Sequence, residues 1–188
     1  HNVKEILVQG NYAFNMAHEI MHNIIPTEVK KVVEYKSKTP IFTKYAVEEQ
    51  LSQLYQPIST LSSGGYVVIN PTEALISIDV NSGKSTSERN IEETALRTNI
   101  EAAKEIARQL KLRDLSGLIV VDFIDMSEHK NRKIVERTFK EALARDKARI
   151  QVGNISNFGL LEMSRQRLRH SFLEANTKMC SHCNGKGI

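Results

Sequence analysis

The chain has 188 residues, 40% hydrophobic and 26% charged, with 9 Gly and 4 Pro, which excludes collagen-like, low-complexity and disordered classes. Its longest apolar runs, such as Leu118–Val121, are too short to cross a bilayer, and no signal-peptide pattern opens the chain. A net charge of +4 turns the expected partners toward phosphates. Two cysteines are too few for a secreted disulfide framework, so a reducing cytoplasm is the expected compartment. With His at position 1 and an end soon after Gly187, the chain reads as part of a longer polypeptide.

In chain order, Ala13, Ala17, Ile20 and Ile24 recur at helical spacing and predict a helix over 11–25, closed by Pro26. Val29 to Tyr35 reads as a strand, and 45–55 as a helix through Val47, Leu51 and Leu54. Ser62-Ser63-Gly64-Gly65 is the best boundary candidate. Beyond it, Tyr66–Ile69 and Leu75–Val80 predict two strands joined by a short turn. A polar loop leads to a long helix over about 91–111, with a stripe of Leu96, Ile100, Ala103, Ala107 and Leu110. Gly117 restarts the chain into Leu118–Phe123, an apolar run expected of a strand covered on both faces. A helix over about 128–146 and a short strand near Ile150 follow. The plan is α/β: a mixed sheet with flanking helices, entered through an antiparallel hairpin.

Asp79 and Asp122 end two predicted strands of one β-α-β unit, and the crossover returns the second strand close to the first. Two carboxylates converging there repel unless a cation lies between them, and oxygen ligands favour Mg²⁺ or Mn²⁺. Asn81 falls on the same side as Asp79, where its amide can orient water or a phosphate. Strand-end aspartates also cap turns, and spacing alone leaves both readings standing. Positive charge follows the pair. Residues 128–149 hold eight Lys/Arg against four acids, and residues 160–188 hold five, including Arg165 and Arg167, against two. A basic surface beside a divalent-metal site suits cleavage of a polyanion, and part of it reads equally as solvated helix face. Arg149, entering a strand, is a candidate to stabilise phosphate charge or to contact the backbone of a polyanion.

Cys180-Ser181-His182-Cys183, followed by Asn184-Gly185-Lys186-Gly187, reads as half of a tetrahedral thiolate site. The missing ligands must come from His182, from sequence outside the chain or from a second copy. A redox CxxC wants a strand-to-helix junction that this tail lacks. His18-Glu19-Ile20-Met21-His22 matches HExxH, a metalloprotease pattern, but no metzincin continuation follows and a solvent-facing histidine pair is the plainer expectation. Asn81-Ser82-Gly83-Lys84-Ser85-Thr86 imitates the end of a P-loop without its first glycine, since position 78 is Ile; Gly83 and Lys84 remain candidates to touch RNA phosphates.

The stretches Gly64–Ile69, Ile78–Ser82, Asn90–Thr94, Leu112–Leu115, Val121–Met126 and Phe158–Arg167, with the terminal CxxC-x-G-x-G, resemble the catalytic domain of the ribonuclease E/G family across about residues 64–187. The resemblance implies a Mg²⁺-dependent endonuclease for single-stranded RNA, preferring AU-rich sites and 5′-monophosphate ends, with roles in mRNA decay and rRNA and tRNA processing. It implies part of a ribonuclease-H-like subdomain over 1–60, a deoxyribonuclease-I-like catalytic subdomain over 61–176 and a zinc link over 177–188. Asp79 and Asp122 fall on the family's Mg²⁺ carboxylates, Asn81 on the asparagine assisting them, and Cys180 and Cys183 on the cysteines sharing one Zn²⁺ between two chains. Ser181 stands where the family usually has Pro. A homodimer or homotetramer, RNA-degradation partners and membrane association through regions outside the chain are further implications. The S1 module and 5′-end sensor of the family have no counterpart in this sequence. The other class left open is a non-catalytic RNA-binding or assembly fragment whose aspartates only cap.

Overall fold

The computed structural model describes residues 3–83 and 91–183. Chain contacts divide the protein into two units, the first running to Ser52 and the second starting at Gln53.

In the first unit, β1 (Ile6–Gln9) and β2 (Val32–Tyr35) pair in parallel, Ile6 opposite Val32, with α1 (Asn11–Ile24) and a 3-10 turn (Pro26–Lys31) between them. Pro26 sits at the start of that turn, where its fixed φ and missing N–H are tolerated. The expected strand from Val29 therefore begins only at Val32. Two short helices, α2 (Ile41–Lys44) and α3 (Val47–Gln53), follow. Val32 and Tyr35 are buried, and the Tyr35 hydroxyl donates to Thr39 O at 2.7 Å. The expected inner stripe of α1 is not observed: Ile20 and Ile24 are 51% and 70% exposed, while Phe14, Ala17 and Met21 are half-buried.

The second unit holds a six-stranded mixed sheet in the order β3-β4-β5-β6-β8-β7. The strands are β3 (Ile58–Thr60), β4 (Tyr66–Pro71), β5 (Ile76–Asn81), β6 (Gly117–Asp122), β7 (Ile150–Ile155) and β8 (Leu160–Arg165); the helices are α4 (Ile91–Leu112), α5 (His129–Leu143) and α6 (Phe172–Asn176). Only β5 and β6 pair in parallel, joined through α4; the other neighbours are antiparallel. The Ser62–Gly65 punctuation lies within this unit as the turn between β3 and β4, closed by Leu61 N donating to Gly65 O at 2.8 Å.

Alternation explains the layering. Val67, Ile69, Ile78, Val80, Ile119, Val121, Leu161 and Met163 are buried in one core with Ala102, Ala103, Ile106 and Leu110 of α4 and Val135, Phe139 and Leu143 of α5. Phe123 and Phe139 meet edge-on, centroids 6.3 Å apart. The opposite face stays open. On β6, Leu118 is 48% exposed, Val120 half-buried and Asp122 exposed, so the expected cover on both faces is corrected to cover on one. The stripe of α4 is also broader than expected. Leu96 and Ile100 only edge the core, and its centre includes Ile106 and the fully buried Asn99.

Candidate active site and cysteine knuckle

Asp79 and Asp122 occupy matching positions in the parallel register of β5 and β6. Adjacent strands lie about 4.8 Å apart, and residues in register present their side chains on one face. Both carboxylates therefore stand side by side on the open face, at the C-terminal ends of the strands. Asn81, two residues on from Asp79, donates from Nδ2 to Asp79 Oδ2 at 2.7 Å. Partial burial, then the charges of Asp79 and Asp125, hold the Asp122 carboxyl above the usual range. No hydrogen bond among the described residues offsets that cost, and none links Asp122 to a backbone N–H, which weighs against a purely capping role.

Asp125 is the carboxylate that the strand pattern does not announce. It lies in the loop after β6, and that loop is tied down from two sides. Asn99 of α4 donates to Ile124 O at 2.8 Å and accepts from Ile124 N at 3.0 Å. From the other side, Gly159 O accepts from Phe123 N at 3.2 Å. Gly159 has φ +77°, and a β-carbon there would stand 2.9 Å from Phe123 O and 3.0 Å from Asp125 Oδ1, so only glycine fits. Glu92, at the start of α4, accepts from Ser127 N, Glu128 N and Asn131 Nδ2 and joins the α5 entry to the same frame. Beyond Asn81 the chain turns at Gly83, φ +60°, packed so closely on Gly64 O that a side chain would collide with that carbonyl.

The basic candidates do not converge on this pair. Ile150 pairs with Arg165, and Arg165 with Gly117, so Arg149 lies at the far end of the sheet. Five residues of β6 separate Gly117 from Asp122, about 17 Å. Arg149 therefore cannot share one phosphate with the aspartates, which corrects its catalytic reading and leaves it as a distant exposed cation. Arg165 is 5% exposed and points into the core. It donates to Asp146 Oδ2 and Oδ1 at 3.0 and 3.2 Å and to Leu115 O at 2.7 Å, so it has no face left for RNA and is a structural residue. Arg167 is exposed and donates to Glu174 Oε2 at 2.8 Å, beside a cavity of about 470 Å³ at the same far end. Lys84 lies outside the described residues. Closer to the carboxylates stand Arg132, one of the basic residues of 128–149, which donates to Asn157 Oδ1 at 3.3 Å, and the turn carrying Asn157 and Phe158.

The residues present suit a hard divalent cation. Two strand-end carboxylates are the number Mg²⁺ commonly takes from protein, the rest of its shell being water and phosphate. Among the described residues no group of three or more His, Cys, Asp or Glu side chains could hold a metal. That bears on the other two motifs. His18, Glu19 and His22 are exposed on α1, and no third ligand joins them, so the metalloprotease alternative lacks its centre among these residues. Cys180 is exposed and Cys183 half-buried. Backbone N–H groups of Cys183 and His182, then the Cys183 side chain, hold the Cys180 thiol below its usual range. Such amides stabilise a thiolate, the form that binds metal.

Two carboxylates side by side on an open sheet face, at the strand ends from which the chain runs on toward the basic helix α5, are a donor set that suits a hard divalent cation. The chain belongs to the Ribonuclease E/G family, whose profile it matches over residues 1–168. It is 47% identical over 186 residues to Ribonuclease E of Haemophilus influenzae and 46% identical over 187 residues to Ribonuclease E of Escherichia coli, covering 99% of this chain in each case. It is 36% identical over 182 residues to Ribonuclease G of Escherichia coli, covering 97% of this chain. The chain spans 20% and 18% of the two Ribonuclease E proteins and 37% of the Ribonuclease G. No helix among the described residues is long and apolar enough to cross a membrane.

Proposed function

We propose that this chain carries the cutting centre of an endoribonuclease that hydrolyses single-stranded RNA with the help of Mg²⁺. The observation that carries the reading is the register pairing of Asp79 with Asp122 on the open sheet face. Asp79 and Asp122 would hold the ion, and Asn81 fixes the Asp79 carboxylate through their 2.7 Å hydrogen bond. When bound, such an ion supplies neutralisation of phosphate charge and activation of water. The unrelieved repulsion at Asp122 is what a cation removes, so apposition of the two carboxylates favours capture of a metal–phosphate pair over a bare anion. Asn99 and Gly159 keep the Asp122 end of β6 in place through the loop that follows. Residues 61–176 serve as the deoxyribonuclease-I-like catalytic subdomain and 1–60 as part of a ribonuclease-H-like one.

Cys180 and Cys183 furnish two thiolates, half of a tetrahedral Zn²⁺ site. A second copy of the chain supplies the other half, giving a homodimer, with a homotetramer as its further assembly. Processing and decay of cellular RNA in the cytoplasm, with degradation partners and membrane association through other regions, complete the reading.

The test is cleavage of a single-stranded RNA by the complete natural polypeptide, with and without Mg²⁺. Asp79→Asn and Asp122→Asn should each abolish cutting while RNA binding persists, and the wild-type products should carry 5′-phosphate and 3′-hydroxyl ends. Cyclic phosphate ends, or unchanged cutting by either variant, would remove the pair from the mechanism. Loss of RNA binding together with cleavage would favour the assembly reading.

A further inference from the structure

Phe158 is 83% exposed, and it sits on the turn that borders Asp122. The turn is held from within: Ser156 N donates to Leu160 O at 2.8 Å, Gly159 N to Ser156 O at 3.2 Å, and Ser156 Oγ accepts from Phe158 N and Leu160 N at 3.2 and 3.3 Å. It is also clamped from outside, by Gly159 O on Phe123 N and by Arg132 Nη1 on Asn157 Oδ1 at 3.3 Å. Leu160 is the register partner of Asp122, and the position a Gly159 β-carbon would take is 3.8 Å from Asp122 Oδ1. Phe158, one residue before that glycine, is therefore kept within one or two residue lengths of the catalytic carboxylate on a rigid support.

An aromatic ring displayed on a fixed turn loses the burial that would ordinarily justify it. Its neighbours show which occupant suits it. Arg132 lies on the first turn of α5 with its guanidinium on Asn157, and no carboxylate among the described residues pairs with it. A flat apolar ring next to a cation and to the paired carboxylates suits a nucleotide: the base stacks on the ring and the backbone meets the guanidinium. Stacking tolerates any base, as every base has a π-face.

Resting on the nuclease reading of Asp79 and Asp122, we propose that Phe158 is a positioning residue that stacks the base of a nucleotide adjoining the scissile phosphate, with Arg132 on the neighbouring phosphate. The ring would splay that base from its neighbour and so hold the phosphodiester extended across the carboxylates. The partner is single-stranded RNA, since a duplex keeps its bases stacked on each other.

The test uses the complete polypeptide and an RNA oligonucleotide with one mapped cleavage site, in parallel with versions abasic at one position on either side of it. Phe158→Ala should raise KM about tenfold or more, the scale of one base–aromatic stack. Phe158→Tyr should restore the wild-type value, and Phe158→Leu should not. One abasic RNA should be cut equally by wild type and Phe158→Ala, naming the stacked position. Unchanged KM in Phe158→Ala, or an equal deficit on every abasic RNA, overturns the proposal. So does a drop in sedimentation mass for Phe158→Ala, which would place the ring against a second copy. Asp122→Asn separates the two readings: if it still cuts, the placing of the cutting centre on Asp79 and Asp122 fails; if it is inactive and Phe158→Ala is normal, stacking alone fails.

Discussion

Asn99, buried at the middle of α4, exchanges two hydrogen bonds with the backbone of Ile124, two residues beyond Asp122. The side-chain amide substitutes for a strand partner at the point where β6 leaves the sheet, satisfying one N–H and one C=O that would otherwise be buried unpaired. Asn99→Leu keeps the volume but leaves both backbone groups without partners, at about 1–3 kcal/mol each. We expect a clear loss of thermal stability by calorimetry. We also expect a fall in kcat larger than the rise in KM, because the Asp122 loop loses its tether while RNA contacts elsewhere survive. A stable variant of normal kcat would show that β6 holds Asp122 unaided.

Arg165 and Asp146 form the most deeply buried ion pair among the described residues, with side chains 4% and 3% exposed. Removing one partner strands the other charge, which costs about 3–5 kcal/mol. Asp146→Ala and Arg165→Ala should each lower the melting temperature by an amount of this order. The double variant should cost less than their sum. RNA affinity of whatever remains folded should not change in Arg165→Ala, since the guanidinium faces the core.

The same pair gives the fold an acid dependence. Burial alone would raise the Asp146 carboxyl, but hydrogen bonds from Arg165 and from Ala148 N outweigh it and hold the group below its ordinary value of 3.8. With the folded pKa depressed, the unfolded chain binds more protons between the two values. The stabilisation is thus complete above about pH 4 and is lost as pH falls through the folded value. Denaturant titrations from pH 6 downward should show stability dropping below pH 4, with a shallower drop in Asp146→Asn. Identical slopes would mean that other carboxylates set the acid limit.

The carboxylate pair was legible because two strand signals ended in Asp and a long helix lay between them, which is enough to predict a parallel return. Asp125 was not, since its place depends on how a loop is tethered by Asn99 and Gly159 from distant elements. No apolar run marks β8 as a strand, because Glu162 and Ser164, on the open face, interrupt its apolar residues. Its insertion between β6 and β7 is a matter of topology that no local pattern carries. Arg149 is far from the carboxylates for another reason: β7 runs parallel to β6, so the residue that enters it lies level with Gly117 and not with Asp122. Arg165 misled for a simpler reason: it lies in a basic stretch, yet it continues the inward alternation of Leu161 and Met163, and period 2 outranks composition in a strand.

The cysteine knuckle makes its own forecast. Amides from Cys183 and His182 hold the Cys180 thiol below its usual range, and the proposed zinc link to a second copy would use that thiolate. Cys180→Ser should lose bound zinc, measured by atomic absorption, and shift the complete protein to a smaller species in sedimentation. Mass and zinc content unchanged from wild type would mean the knuckle joins no chains.

Gly159 and Gly117 provide a controlled comparison of strain with collision. Both have positive φ, +77° and +93°, but a β-carbon at Gly117 meets nothing within 4 Å, whereas at Gly159 it meets Phe123 O and Asp125 Oδ1. Gly117→Ala should cost only the backbone term, about 1–2 kcal/mol. Gly159→Ala adds overpacking, typically about 1–3 kcal/mol more. The added cost falls on the backbone next to Asp122, so Gly159→Ala should also lose cleavage at a temperature where it is still folded, and Gly117→Ala should not. Equal losses of stability in the two variants would show that the turn yields, and that the β7–β8 corner does not fix the position of Asp122.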